Sequence, residues 1–86
     1  MKNINYKGLP LHMQEGMQLW IEYGIDGGSF LMSILSNDFL GACSRADYIN
    51  QKELFSFAMF LANEAPIGCF GSPAIIENWK GLKTNE

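Results

Sequence analysis

An all-α fold, a compact bundle of about four helices joined by short Gly- and Pro-containing turns, is what this chain of 86 residues predicts. Two observations carry that expectation. Apolar residues recur at helical spacing through most of the chain, and each such run is flanked by residues that start or stop helices. Strand signals fail in parallel: no useful length alternates apolar with polar, and no Asn-Gly or Asp-Gly pair lies between β-branched runs.

The first helix is expected to open at Pro10, whose missing N–H and fixed φ suit the first helical position. Met13, Met17, Trp20 and Ile21 then share one face, and Gly24 fits the left-handed closing position, with Ile25 placed to fold back on Trp20. For the second helix Asp26 reads as the N-cap, Ile25 and Phe30 as a hydrophobic staple, and Gly27 and Gly28 as the first turn. Phe30, Leu31, Ile34, Leu35, Phe39, Ala42, Cys43 and Ala46 keep helical spacing, so this helix is expected to run unbroken to Arg45–Asp47. Its other side, Ser29, Ser33, Asn37, Gly41 and Ser44, is a stripe of small or polar residues that a helix or a ligand could approach closely.

Asn50 and Glu53 read as a capping box for the third helix, with Ile49 and Leu54 as its staple. The run LFSFAMFLA leaves almost no polar side, which predicts a central helix enclosed by the others or by a second chain. Ala65-Pro66 closes it, and Ser72-Pro73 caps a short last helix carrying Ile75, Ile76 and Trp79. The whole chain, 1–86, reads as a single helical domain with loose tails at about 1–7 and 82–86.

Composition narrows the function classes. With 48% apolar, 13% aromatic and 17% charged residues, the chain is rich in apolar surface for so small a domain, so a homo-oligomer is expected. A net charge of −3 and six scattered basic residues argue against a DNA or RNA partner. FLMSILS and LFSFAMFLA are far shorter than the roughly 20 residues a membrane helix needs, so no membrane association is expected. Cys43 and Cys69 follow no signal peptide and read as reduced, cytosolic thiols.

Two stretches are candidate ligand sites. GIDGGSF presents Gly27, Gly28 and Ser29 at a helix start, where backbone N–H groups and the helix dipole favour an anion; the alternative is a close helix-to-helix turn. In SNDFLGACSRAD, Asn37 and Asp38 occupy positions where a helix prefers Ala or Glu. Ser33, Asn37, Asp38 and Arg45 therefore read as the lining of a polar pocket or subunit contact, with Arg45 suited to phosphate, or as a salt-bridged rim with Asp47 close behind. His12, beside Glu15, reads as ordinary surface. No Ser, Cys or Thr comes with a base and an orienting group, and no closely spaced ligand pairs accompany the lone His, so neither an enzyme nor a metal or other cofactor is expected.

The succession LPLHMQEGMQLWIEYGI, GGSFLMSILSNDF, RAD and NEAPIGCFGSP followed by tryptophan, over residues 9 to 79, resembles a group of short proteins encoded by tailed bacteriophages and prophages. The resemblance brings no catalytic residue with it, and LFSFAMFLA is more aromatic than the corresponding helix of that group. It implies an accessory protein in the cytoplasm of an infected bacterial host, of a kind that commonly counters bacterial immunity. The leading expectation is a non-enzymatic, oligomeric sponge that sequesters a nucleotide-derived signalling molecule. The alternatives are an anti-CRISPR-like inhibitor that binds a host defence protein, and a host-takeover or structural phage factor without a small ligand.

Overall fold

The computed structural model describes residues 3–83. Among them the chain forms six helices, four of them seven residues or longer, and no strand: α1 Leu11–Tyr23, α2 Ser29–Leu35, α3 Phe39–Arg45, α4 Tyr48–Lys52, α5 Leu54–Asn63 and α6 Pro73–Asn78. The all-α expectation stands, while the expected second and third helices are each divided in two.

The break between α2 and α3 accounts for the adjacent Asn and Asp. Asn37 takes a left-handed φ of 67°, which Asn tolerates better than other non-Gly residues. Its amide donates to the Ile34 carbonyl at 3.2 Å and the Asp38 amide donates to the Ser33 carbonyl at 2.9 Å, the paired bonds of a Schellman ending. Asp38 then starts the next helix, its Oδ1 accepting from the Gly41 amide at 3.0 Å. One dipeptide therefore stops α2 and caps α3, correcting the unbroken helix expected over this region.

The other starts shift as well. Pro10 stands in the cap position before α1 rather than inside it. Gly28, not Asp26, precedes α2, and the Asp26 carboxylate instead accepts from the Gly28 amide at 2.7 Å. The Asn50–Glu53 capping box does not form: Asp47 caps α4 by accepting from the Asn50 amide at 2.7 Å, and Asn50 lies buried within that helix. Ser72 caps α6 as expected, accepting from Ile75, with Pro73 at the first helical position.

The core gathers Met17, Trp20 and Ile21 from α1, Phe30, Leu31 and Leu35 from α2, Phe57 and Phe60 from α5, and Cys69 from the loop before α6. Phe30 and Phe57 meet edge to face with ring centres 5.2 Å apart, a favourable arrangement for aromatic quadrupoles. Both tryptophans anchor loops through their indole N–H. Trp20 donates to the Cys69 carbonyl and Trp79 donates to the Trp20 carbonyl, each at 2.9 Å. Gly24, at φ 70°, closes α1 with its amide on the same Trp20 carbonyl at 2.8 Å.

The described parts of both expected tails are docked. Ile4 and Tyr6 pack on the core, Tyr6 against Phe60. At the other end the Leu82 and Lys83 amides donate to the Ile21 and Glu22 carbonyls at 2.9 and 2.8 Å. Residues 1–2 and 84–86 lie outside the described residues. Within the single chain α5 buries Phe57 and Phe60 but leaves Phe55, Ala58, Met59 and Ala62 exposed, so the other helices do not enclose it.

Candidate functional site

The turn at Asn37 swings α3 away from the line of α2, and α5 packs nearby so that a cleft of about 460 Å³ opens between them. Ile34, Phe39 and Ala42 form one wall, and Leu54, Phe55, Ala58 and Leu61 form the other. Ser33, Asn37 and Asp38 supply its only polar lining side chains. A concavity of this size with apolar walls and a few polar groups to one side has the general make-up of a binding site.

Arg45 reaches back over the α2–α3 corner. Its Nη1 donates to Ser33 Oγ at 3.1 Å and lies 3.9 Å from Asp38 Oδ2. Ser33 is buried, whereas Arg45 and Asp38 are roughly half exposed, so the ion pair itself contributes little and the bond to Ser33 fixes the guanidinium. Gly41 makes room for this corner: a Cβ there would collide with the Asp38 carboxylate and lie 2.5 Å from Arg45 Nη1. Asp38→Ala is expected to cost about 1 kcal/mol through loss of the α3 cap. Urea unfolding checks this, with a lower midpoint at unchanged slope.

Four of the seven residues singled out from the sequence thus come together: Ser33, Asn37 and Asp38 line the cleft, and Arg45 is bonded to Ser33. Gly27, Gly28 and Ser29 do not line it; they stay exposed at the start of α2. There the Asp26 carboxylate already holds the Gly28 amide, and a Cβ on Gly27 would strike the Leu31 side chain. Those two facts give the turn a structural reason for its residues. The apolar walls were not singled out as a site, because Leu54, Phe55, Ala58 and Leu61 read as core in a helix of uniform hydrophobicity.

His12 pairs with Asp47 rather than with Glu15: Nε2 and Oδ2 are 3.0 Å apart, joining α1 to the α4 cap. The Asp47 carboxyl is held below its usual range, first by the Asn50 amide and then by His12. Burial pushes the Cys69 thiol up to about 12, so it remains protonated and a poor nucleophile at neutral pH. Cys43 is half buried on α3, and the two thiols are not joined. Among the described residues no three His, Cys, Asp or Glu side chains are grouped to hold a metal ion, and no helix is long and apolar enough to cross a membrane. Compared with protein-family models, curated proteins and solved structures, the chain finds no match in any of the three.

Proposed function

We propose that this chain is a non-enzymatic phage accessory protein that binds and blocks a protein of the bacterial defence, seating an apolar segment of that protein in the α2–α3/α5 cleft. The observation that carries this reading is the make-up of the cleft, with apolar side chains on both walls and polar groups confined to one corner. Apolar side chains of a partner gain most from such a surface, and Asn37 and Asp38 can accept or donate at its edge. The resemblance to phage-encoded proteins supports the host setting.

Sequestration of a nucleotide-derived signal is the second reading, and Arg45 favours it by lying beside a cleft whose Phe39 and Phe55 could stack on a base. Against it, the Asp38 carboxylate shares that corner and repels phosphate. Native mass spectrometry of the protein mixed with extract from defence-activated bacteria separates the two. A protein-sized gain in mass is expected for the natural chain and is lost in Phe39→Asp, which alters an exposed side chain and spares the core. A nucleotide-sized gain without a captured protein would replace this reading with the second.

A further inference from the structure

The segment ahead of α1 is held unevenly along its length. Leu9 is fixed: it is 3% exposed, and its carbonyl accepts from Gln14 Nε2 at 3.0 Å. Lys7 and Gly8 before it are exposed, and a Cβ on Gly8 would meet nothing within 4 Å. Beyond them Tyr6 returns to the core, its ring tilted on Phe60 with centres 5.4 Å apart, and Ile4 packs on the core as well.

Tyr6 carries a polar group to a place that does not serve it. Its hydroxyl oxygen is enclosed and has no hydrogen-bond partner in the protein. Burial pushes the phenol up to about 12, and the charge of Glu22 adds to the rise. Phenylalanine would fill the same place without the cost of stripping water from a hydroxyl. We propose that residues 3–8 are a latch that swings on Lys7-Gly8 from the fixed Leu9 and uncovers Phe60, the enclosed Tyr6 hydroxyl keeping the closed latch weak.

Two further ties of the latch resist opening little. The Asn5 amide donates to Glu64 Oε1 at 3.2 Å in an exposed bond that water can replace, and the Lys7 amide donates to Asn5 Oδ1 within the latch itself. Opening returns the Tyr6 hydroxyl to water, so the ring contact and the Ile4 packing hold the closed state against that gain. What opening uncovers is apolar. Phe60, 4% exposed when latched, lines a shallow groove of about 380 Å³ with Phe55 and Met59 of α5, and Asn5 and Gly8 of the latch line it too. Release takes the latch residues from the groove and joins Phe60 to the exposed Phe55 and Met59. The fold therefore carries an apolar face that is larger in one state than in the other, whatever the cleft binds.

Hydrogen exchange of the full chain followed by NMR reads the latch, because the Leu9 amide donates to the Tyr6 carbonyl at 3.1 Å and loses that bond when the latch swings. This amide is expected to exchange well ahead of the α5 amides and with a much shallower dependence on urea, as a local opening does. Tyr6→Phe is expected to slow Leu9 exchange about tenfold, the effect of removing one enclosed, unpaired hydroxyl, and Tyr6→Ala to speed it. Thiol labelling of Ile4→Cys in a Cys43→Ser background gives a second readout, with the buried Cys69 as the reference for global unfolding. The new thiol is expected to react far ahead of Cys69, and more slowly once Tyr6→Phe is added. Leu9 exchange that follows the α5 amides at every urea concentration, labelling of both thiols at one rate, or a Tyr6→Phe chain whose Leu9 exchanges as fast as the natural one would overturn the proposal.

Discussion

Phe57→Ala is expected to lower the unfolding free energy by about 4 kcal/mol, the upper part of the range for removing a buried aromatic side chain. Phe57 is fully buried, and its loss leaves Phe30 facing a void where the two rings now meet edge to face. Total stability for a domain of this size is on the order of 4–13 kcal/mol, so one substitution removes a large share of it. Urea unfolding followed by circular dichroism gives the difference directly. A loss below about 2 kcal/mol would mean that the α2–α5 contact is not the centre of the core.

The second large effect is expected at Gly81. Its φ is 97°, and a Cβ built there would lie 2.5 Å from the Glu22 carbonyl oxygen and 2.6 Å from Tyr23 Cα, both of them backbone atoms of the α1 end. Backbone cannot yield as a flexible side chain can, so Gly81→Ala combines an unfavourable conformation with a collision. The cost is expected to reach about 2–3 kcal/mol, limited by release of the terminal segment from α1. Hydrogen exchange localises it: the Leu82 and Lys83 amides, now bonded to Ile21 and Glu22, should lose protection while the amides of α5 keep theirs. Uniform loss of protection would show instead that this docking is part of the global folding unit.

How much of this was legible in the sequence depended on what each residue type can signal. Gly24 and Ser72-Pro73 name their positions because few other residues serve there, and both helix ends appear where they were expected. The break at Asn37 was hidden because Leu35, Phe39 and Ala42 keep helical spacing across it. Periodicity records which face is buried and is blind to one residue of left-handed backbone. The local signal was present in Asn37-Asp38, a residue that tolerates positive φ followed by a good N-cap. At Asp47 and Asn50 two competent caps stand three residues apart; the first was used, and the second was drawn into the helix and buried.

The site was half legible for a related reason. Polar residues inside an apolar run stand out, which marked Ser33, Asn37, Asp38 and Arg45. The opposite wall did not stand out, because α5 is apolar on every side and its sequence does not say which side faces the core. Only tertiary packing decides that Phe57 goes inward and Phe55 outward.

The bond from Trp79 to the Trp20 carbonyl joins residues 59 positions apart in the chain. A ribosome adding about 5–20 residues per second makes Trp20 roughly 3–12 seconds before Trp79. Through that interval α1 can form, but the Trp20 carbonyl has no Trp79 indole N–H to accept from and the end of α1 has no segment laid across it. The nascent protein therefore passes through a stage in which its helices exist and its interior is open to other chains. Expression temperature and chaperone supply then act on yield through the length of that interval, and a variant with slowed translation between α5 and α6 should aggregate more while folding to the same final stability.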